Sequence, residues 1–405
     1  MNIPFQGKHV LLGVTGSIAA YKAAALASKL AQAEAMVDVI LTPAATEFVT
    51  PLTFQSVTGR RAYVDADLWG GEGHVLHVGL AHAANLLVIA PITANTLAKL
   101  AHGQADNLLT VTALAARCPL ILAPAMDGGM FTHPATQANI QTLRERGAIL
   151  AGPVEGHLAS GRISVGRMVE PDEIFGHIRL VLGRGGSLAG KKVVVTAGGT
   201  QEPIDLVRVI ANRSSGKQGY ALAQAALDLG AEVTLIVAPV HLPTPVGAKK
   251  VEVLTAGEML AAVMQTTIDA DVLLMAAAVA DFRPVEPAKG KLKRRDGIPQ
   301  IKLEAAPDIL EAVSKRKSET GFPRITIGFA AESHDLVENA REKLGSKCLD
   351  MVVANDISAS DSGFAVDTNR VTLLFPDGGV EALPLMSKME VARRVLAVVV
   401  DLLKG

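Results

Sequence analysis

Short apolar runs alternate with amphipathic, alanine-rich stretches along most of the chain. Such runs are typical of strands that are buried on both faces, and the stretches between them place apolar residues at helical spacing. The alternation predicts the α/β fold class, with parallel sheets covered by helices. The predicted strands are 10–13, 37–41, 86–90, 120–123 and 149–150 in the first half and 193–196, 233–237, 272–276, 325–329 and 351–354 in the second.

The helical stretches carry the end signals expected of helices. Pro134 suits a first helical turn, and Gly147 suits the residue that follows a helix. Near the C-terminus the pattern changes, because two apolar runs, 371–375 and 380–383, flank a Pro-Asp-Gly-Gly turn and predict an added β-hairpin. The predicted helices are 18–30, 95–101, 108–116 and 134–146 in the first half and 388–403 at the end of the second.

The chain opens in the same way twice. A Gly-Lys pair at 7–8 precedes an apolar run, a Gly16-Ser17 turn and a helical stretch. A second Gly-Lys pair at 190–191 precedes an apolar run, a glycine-rich loop and the helical stretch after Ser214. A strand, a glycine-bearing turn and a helix N-terminus form a phosphate cradle, because free N–H groups and the helix dipole favour an anion there. The repetition predicts two nucleotide-type sites.

Chain length and composition limit the class of protein. A chain of 405 residues exceeds one ordinary core, so we predict two domains, 1–184 and 191–405, joined by a glycine-rich linker at 185–190. Lys and Arg number 39 and Asp and Glu 40, so no excess of positive charge attracts nucleic acid. The apolar runs fall short of the ~18 residues of a membrane span, and two cysteines make no disulfide framework. We expect a cytoplasmic protein without nucleic-acid or membrane partners.

Polar loops follow the predicted strands of the first half. Ser17 lies where the N-cap of the next helix is expected, and the segments 91–96 and 124–131 follow the third and fourth strands. The carboxyl ends of parallel strands meet at the sheet edge where open α/β folds bind ligands. These loops, with His77 ahead of the third strand, predict a pocket. The alternatives are a capped helix without a ligand and a structural histidine.

Four motifs of the first half, GVTGSIAAYKAA, HVGLA, APITANTLAK and PAMDGGMFTHPAT, resemble the flavin-dependent cysteine decarboxylases in order and spacing. The resemblance implies a flavodoxin-like, or Rossmann-like, flavoprotein domain that oxidises the cysteine end of its substrate with loss of CO2. It also implies that His77 is catalytic and that a clamp around 156–168 closes over the substrate. The residues that the resemblance assigns to FMN binding are Gly16, Ser17, Thr42, Thr93 and Asn95.

Two residues depart from this family's pattern at catalytic positions. Asp127 replaces an asparagine, and an ionised aspartate repels a substrate carboxylate that an asparagine would bind. Ser160 replaces a cysteine that helps to return the electrons, and a hydroxyl is a poorer proton donor than a thiol. The sequence leaves open whether Asp127 is ionised or protonated.

A long polar loop, 197–217, separates the first strand of the second half from the next helix. Such length is typical of a loop that binds a ligand, with a surface excursion as the alternative. Small residues follow the strand at 272–276 and leave room for a flat ligand beside Asp281. The basic run that comes next fits either a solvated loop or a triphosphate clamp, in which Asp281 would assist a divalent ion. This run contains Lys289, Lys291, Lys293, Arg294 and Arg295.

Six motifs of the second half, VTAGGTQEPIDLVRVIANRSSGKQGYALA, AAAVADFRP, GKLKRR, PDIL, GFAAES and VAND, resemble the bacterial phosphopantothenate–cysteine ligases that use CTP. The resemblance implies a Rossmann-like domain that joins 4′-phosphopantothenate to cysteine through an acyl-cytidylate. Asn212 and Lys291 would be catalytic, and Arg208 and Ala278 would bind the pantothenate part. Asp281 would hold Mg²⁺. The residues that would line the CTP site are Ala277, Asp281, Pro307, Asp308, Ile309, Leu310, Phe329, Lys343 and Lys347.

The two halves, fused in this order, are typical of the bifunctional enzymes of coenzyme A biosynthesis. The resemblance implies ligation followed by FMN-dependent decarboxylation to 4′-phosphopantetheine. It also implies a homo-oligomer, a dodecamer with trimeric first halves and dimeric second halves. Two alternatives stay open: a ligase whose flavin domain binds FMN but is impaired by Asp127 and Ser160, and a nucleotide-binding regulator without turnover.

Overall fold

The chain divides into two compact units, the first ending at Gly183 and the second beginning at Arg184. The structure, a computed structural model, describes residues 4–69, 75–294, 297–332, 334–356 and 366–404. Arg295 of the basic run and Ser333 of the GFAAES motif lie outside the described residues. Both units have the α/β fold class that the sequence predicts.

A parallel sheet forms the centre of the first unit, and an antiparallel hairpin follows it. The strands are β1 (His9–Val14), β2 (Met36–Leu41), β3 (Ala62–Val64), β4 (Leu86–Ile92), β5 (Leu120–Pro124), β6 (Ile149–Leu150), β7 (Val154–His157) and β8 (Ile163–Arg167). The sheet has the order β3-β2-β1-β4-β5-β6, and β7 pairs with β8. Val10 and Leu12 of β1 pack in one hydrophobic cluster and Leu11 in another, so both faces of the sheet are covered.

Helices cover the two faces of this sheet. They are α1 (Ala20–Gln32), α2 (Pro43–Thr46), α3 (Pro51–Thr58), α4 (Leu76–Ala83), α5 (Ala94–His102), α6 (Leu108–Ala115), α7 (Gly128–Thr132), α8 (Pro134–Glu145) and α9 (Pro171–Gly183), with a 3₁₀ turn at Asp65–Trp69. The prediction that Ser17 is the N-cap of α1 is wrong, because the N-cap is Ala19. The N–H of Ala20 donates to the Ser17 carbonyl at 2.9 Å, which closes a turn ahead of the helix.

A longer sheet forms the centre of the second unit. Its strands, in spatial order, are β13 (Lys249–Glu252), β12 (Glu232–Val237), β9 (Lys192–Ala197), β14 (Val272–Met275), β17 (Ile325–Glu332), β18 (Met351–Asp356), β20 (Val371–Leu374) and β21 (Val380–Ala382). The strands from β13 to β18 are parallel, and β20 and β21 are antiparallel. The predicted hairpin near the C-terminus is thereby confirmed, and it extends the main sheet.

Short strand pairs and helices complete the second unit. The predicted strand 272–276 ends one residue early, because the Ala276 N–H turns back to the Leu274 carbonyl at 3.2 Å. The pairs are β10 (Gln201–Pro203) with β11 (Val209–Ala211), β15 (Phe282–Pro284) with β16 (Leu303–Ala305), and β19 (Thr368–Asn369) with β22 (Met386–Ser387). The helices are α10 (Lys217–Asp228), α11 (Ala256–Thr266), α12 (Ile309–Thr320), α13 (Leu336–Ser346) and α14 (Lys388–Leu402).

The segment 185–190, treated above as a linker, packs on the second unit. The Leu188 side chain is fully buried, and its N–H donates to the Leu229 carbonyl at 2.8 Å. A Cβ on Gly186 would come within 2.4 Å of the same carbonyl oxygen. These residues therefore form part of the second unit's surface layer.

Candidate active sites

Three loops meet at the carboxyl edge of the first sheet. The Thr15 hydroxyl donates to the Pro91 carbonyl at 2.8 Å and accepts the N–H of Thr93 at 3.1 Å, which joins the loop after β1 to the loop after β4. Gly16 lies against the loop after β2, where a Cβ would come within 2.5 Å of the Ala44 Cβ. A side chain at position 16 would push these loops apart, so the edge forms a close-fitting cradle.

The residues predicted to bind FMN stand around this cradle. Thr42 precedes α2, and its buried hydroxyl has no hydrogen-bond partner within the described part of the chain. Thr93 caps α5 by accepting the N–H of Thr96 at 3.4 Å, and Asn95 is exposed in the first turn of that helix. Because a buried hydroxyl without a partner is costly, the Thr42 oxygen fits a site that a polar ligand completes. The cradle and this hydroxyl together fit the predicted flavin.

A cavity of about 300 Å³ beside Ser17 is lined by both residues that depart from the decarboxylase pattern, Asp127 and Ser160. Asp127 is the N-cap of α7, and it accepts the N–H of Gly129 at 3.0 Å and the Ser160 hydroxyl at 3.0 Å. These two donors hold the pKa of Asp127 below its usual value, so the carboxylate is ionised at neutral pH. The cavity therefore contains a fixed negative charge.

The β7–β8 hairpin, which carries the predicted clamp, is docked on the Asp127 loop. The Met126 N–H donates to the Gly166 carbonyl at 3.0 Å. Gly166 has a φ of 136°, and a Cβ there would come within 2.2 Å of the Met126 carbonyl oxygen. A Cβ on Gly128 would likewise collide with the Ser164 hydroxyl. Two glycines thus allow the hairpin to lie directly on the cavity wall, with Ser160 at its tip.

Lys22 and Arg167 line the same cavity and are absent from the predicted site residues. The buried Lys22 ammonium donates to the Met168 carbonyl at 3.1 Å and to the Glu170 carboxylate at 2.8 Å. Lys22 holds the pKa of Glu170 below its usual value, with a smaller contribution from Arg167. The sequence contains a signal for Lys22 as a site residue, because this lysine lies one turn before Leu26 on the apolar face of α1, where a charged side chain is unusual.

His77 lies on α4, not in a loop. It is half-buried in the first turn of that helix and does not line the cavity beside Ser17. Within one chain, therefore, the structure brings Ser17, Asp127 and Ser160 together and places His77 elsewhere. Its catalytic role stays a prediction.

A larger cavity, about 1100 Å³ in volume, opens at the carboxyl edge of the second sheet. Asn212 lines this cavity, and Gly199 packs against it, because a Cβ on Gly199 would come within 2.6 Å of the Asn212 carbonyl oxygen. The Asn212 amide donates to the Val279 carbonyl at 2.8 Å, which ties the long loop to the residues after β14. The predicted residues that line this cavity are Asn212, Ala277, Ala278, Asp281, Pro307, Asp308, Ile309, Leu310, Phe329, Lys343 and Lys347.

Charged residues at the start of α12 and at the end of α13 also line the cavity. Asp308 is the N-cap of α12, and the Lys347 ammonium lies 2.8 Å from its carboxylate. Burial raises the pKa of Asp308, but Lys347 and backbone N–H groups outweigh this effect, so the net pKa is lowered and the carboxylate is ionised. The Lys343 ammonium donates to the Phe329 carbonyl at 2.7 Å. These elements present two ammonium groups and the carboxylates of Asp308 and Glu342 to the cavity.

Asn355 of the VAND motif also lines this cavity, although the predicted site residues omit it. Its buried side-chain oxygen lacks a hydrogen-bond partner among the residues that the structure describes. The motif was the available signal, because it forms the carboxyl end of β18, the last parallel strand, where open sheets bind ligands. Asn355 therefore offers an acceptor that a ligand can use.

Arg208 and Lys291 do not line the cavity. The two residues instead come together through Asp205, which binds Arg208 and the backbone next to Lys291. The long loop 197–217 is more ordered than the sequence indicates, since β10 and β11 pair within it.

The described residues contain no group of three or more His, Cys, Asp or Glu side chains that could hold a metal ion. They also contain no helix that is long and apolar enough to cross a membrane.

Comparisons with known proteins assign each unit to a family. The family described as "Flavoprotein" matches residues 4–183, and the family described as "DNA/pantothenate metabolism flavoprotein C-terminal domain" matches residues 188–403. These matches define a class of two-domain α/β flavoproteins.

Curated relatives narrow this class. The Coenzyme A biosynthesis bifunctional protein CoaBC of Bacillus subtilis is 44% identical over 400 residues, which cover 98% of each chain. The protein of the same name from Mycobacterium tuberculosis (strain H37Rv) is 43% identical over 410 residues, which cover 98% of this chain and 97% of the relative. The chain belongs to the family of bifunctional coenzyme A biosynthesis proteins, as its motifs predict.

Solved structures are similar to single halves. The C-terminal domain of CoaBC is 40% identical and covers 54% of this chain and 98% of its own, with a TM-score of 0.46. The FMN-dependent cysteine decarboxylase SpaF is 36% identical and covers 40% of this chain and 91% of its own, with a TM-score of 0.37.

Proposed function

We propose that the chain converts 4′-phosphopantothenate and cysteine to 4′-phosphopantetheine, with ligation in the second unit and decarboxylation in the first. As a member of its family, the chain is a bifunctional enzyme of coenzyme A biosynthesis. Similarity over nearly the whole of both chains favours two working halves over a ligase with an idle flavin domain. The observation that carries the proposal is the large cavity of the second unit, which gathers the residues expected around CTP.

The ligase reaction would proceed in two steps in that cavity. The carboxylate of 4′-phosphopantothenate would attack the α-phosphorus of CTP, forming an acyl-cytidylate and releasing pyrophosphate. The amine of cysteine would then attack the acyl carbon, lose a proton and displace CMP. Lys343 and Lys347 line the cavity and would supply positive charge to the phosphates, and Asn212, which also lines it, would hold the acyl-cytidylate.

Binding of the triphosphate would involve Asp281 and Lys291. Asp281 is exposed at the cavity, where it would hold Mg²⁺, which would supply positive charge to the triphosphate. Lys291 would neutralise charge that builds on the leaving pyrophosphate, and Arg208 and Ala278 would contact the pantothenate part.

The decarboxylase reaction would take place where the cradle meets the smaller cavity. Gly16, Ser17, Thr42, Thr93 and Asn95 would hold FMN, which when bound supplies the acceptor for two electrons from the cysteine end of the substrate. Asp127 and Ser160, hydrogen-bonded to each other, would face that end of the substrate. His77 would act as the catalytic histidine.

The assembly and location follow from the same family. We propose that the chain works in the cytoplasm as a homo-oligomer, a dodecamer with trimeric first units and dimeric second units.

Mass spectrometry of one reaction tests the whole proposal. Purified protein is incubated with 4′-phosphopantothenate, cysteine, CTP and Mg²⁺, and we expect 4′-phosphopantetheine, CMP and pyrophosphate. If the products stop at phosphopantothenoylcysteine and CMP, the flavin half does not complete its reaction and the chain is a ligase. If CTP is not consumed, both steps of the proposal fail.

A further inference from the structure

The buried carboxylate of Asp205 joins two loops of the second unit. Asp205 follows β10 and is 4% exposed. Its Oδ1 accepts the backbone N–H groups of Val207 and Arg208, each at 2.7 Å. Its Oδ2 accepts the Arg208 guanidinium at 2.7 Å and the backbone N–H of Leu292 at 3.1 Å. One oxygen thus closes a local turn, and the other reaches a segment that lies 87 residues further along the chain.

Two more hydrogen bonds hold the same segments together. The Arg208 guanidinium donates to the Leu292 carbonyl at 3.1 Å, and the Ala288 N–H donates to the Ile204 carbonyl at 2.9 Å. Leu292 directly follows Lys291, and both its N–H and its carbonyl are therefore hydrogen-bonded. Lys291 itself is exposed, so the place of its ammonium depends on the place of its backbone.

Electrostatics favour the same arrangement. The segment 289–294 carries Lys289, Lys291, Lys293 and Arg294, whose charges repel one another. Burial raises the pKa of Asp205, but the N–H groups of Val207, Arg208 and Leu292 outweigh this effect and lower it to about 2. The carboxylate therefore stays ionised beneath the basic segment throughout the physiological pH range.

We propose that Asp205 is a positioning residue that fixes the Lys291 segment for the ligase reaction. This inference rests on the role proposed above for Lys291. Asp205 itself is not a catalytic residue, because its oxygens are occupied by the donors of its own turn, Arg208 and Leu292. Its contribution is to set where the ammonium of Lys291 stands before the triphosphate arrives.

Glu202 provides a matched control on the same hairpin. It is 3% exposed, and its carboxylate accepts the N–H of Ala256 at 2.8 Å, at the start of α11. It is thus a buried carboxylate of the same kind that reaches a different segment. Asp205→Asn and Glu202→Gln each replace one carboxylate oxygen by an amide that cannot accept a hydrogen bond.

Hydrogen exchange followed by mass spectrometry tests the contact without any substrate. In the full chain, we expect Asp205→Asn to accelerate exchange in residues 288–294 and to leave 254–258 unchanged. Glu202→Gln should do the reverse. Unchanged exchange at 288–294 in Asp205→Asn overturns the inference, whether or not the chain is a ligase.

Pyrophosphate release tests the consequence for the reaction. We expect Asp205→Asn to lower kcat about 100-fold, because misplacement of a reacting group by about 1 Å has an effect of that size. KM for CTP should change far less. In a Lys291→Met background the same substitution should have little further effect, since both changes remove the same positioned charge.

Three outcomes of the kinetic test overturn the inference. One is an effect of Asp205→Asn that multiplies with that of Lys291→Met. Another is that Asp205→Asn lowers kcat in the Lys291→Met background but no longer lowers it in the Arg208→Gln background. Asp205 would then act through Arg208. The third is a wild-type kcat in Asp205→Asn. If Asp205→Asn does not fold, Asp205→Ser keeps an acceptor for the local turn and lacks the second oxygen, so it replaces Asn in both measurements.

Discussion

Two substituted side chains, Asp127 and Ser160, turn out to be hydrogen-bonded to each other. The sequence shows both departures but not that they touch, because they are 33 residues apart and the β7–β8 hairpin brings them together. The Ser160 hydroxyl stabilises the ionised form of Asp127, so replacing either residue changes the other's environment. At the residue scale, the two substituted residues therefore act as one hydrogen-bonded pair.

Exchange of Ser160 for cysteine tests the chemical part of this view. A thiol has a pKa of about 8.5 and donates a proton far more readily than a hydroxyl. We expect Ser160→Cys to raise the rate of 4′-phosphopantetheine formation by about 100-fold, at the lower end of the range of general acid catalysis. CMP release by the second unit serves as the internal control. Equal rates for Ser160→Cys and Ser160→Ala would show that no proton passes through this position.

A buried ionic cluster predicts a pH-dependent stability of the first unit. The Asp38 carboxylate accepts the His9 ring N–H at 2.6 Å and the Arg60 guanidinium at 2.7 Å. Burial raises its pKa, but His9 and Arg60 outweigh this effect and the net pKa is lowered. The stabilisation is therefore present above the unfolded pKa of about 3.9 and is lost as the pH falls through the folded value.

Replacement of Asp38 by asparagine measures this contribution. Asp38→Asn removes the charged partner of Arg60 and His9 from a buried site. We therefore expect a loss of about 3 kcal/mol in the free energy of unfolding at pH 7. The difference from the wild type should shrink below about pH 4, where the Asp38 carboxylate of the unfolded chain begins to take up a proton. Hydrogen exchange of β1 and β2 in increasing urea provides the measurement. Asp106→Asn, which breaks the exposed pair with Lys99, should cost far less, and equal losses in the two variants would refute the assignment.

At the scale of elements, strands buried on both faces were the easiest to predict. Their continuous apolar runs distinguish them from everything around them, and β1, β2, β4 and β5 follow the predicted ranges within two residues. The sequence analysis missed β3, β7 and β8, because β3 is only three residues long and the hairpin strands are largely exposed. Whether these strands form depends on contacts with loops that are distant in the sequence, and a local sequence pattern does not record such contacts. The cradle loops could be predicted, because each follows directly from the end of a predicted parallel strand.

Gly166 decides whether the β7–β8 hairpin can lie on the Asp127 loop. We expect Gly166→Ala to lower decarboxylation about 100-fold, because its Cβ would displace the hairpin from the Met126 carbonyl. Gly161→Ala is the matched control in the same hairpin. Gly161 also has a positive φ, 80°, but its Cβ would meet nothing within 4 Å. The measurement is 4′-phosphopantetheine formation by both variants at equal CMP release. A larger loss in Gly166→Ala than in Gly161→Ala shows an effect of hairpin docking beyond backbone strain, and equal losses would contradict the docking role.

At the scale of the whole molecule, each unit has hydrophobic clusters of its own. Among the described residues, two clusters lie within Phe5–Leu182 and two others within Val194–Leu374. Independent cores are what separate domains require. We therefore propose that the second unit folds and ligates as a fragment that starts at Arg184.

The start of that fragment is itself a prediction. We expect 184–405 to be more stable than 191–405 by about 2 kcal/mol, because the shorter fragment exposes the site where Leu188 is buried. Urea unfolding of the two fragments, followed by circular dichroism, measures the difference. A Leu188→Ala change in the longer fragment should reproduce most of it. Equal midpoints for all three would mean that 185–190 is a linker after all, as its composition indicates.

The two outer strands of the larger sheet have a consequence for solubility during synthesis. An exposed sheet edge can pair with the edge of another chain, and short charged edges prevent this. β13 carries Lys249, Lys250 and Glu252 in four residues, and β21 has three residues with Glu381 in an ion pair with Arg394 of α14. A newly made second unit therefore presents charge at both ends of its sheet, which protects crowded chains from joining into aggregates before they assemble.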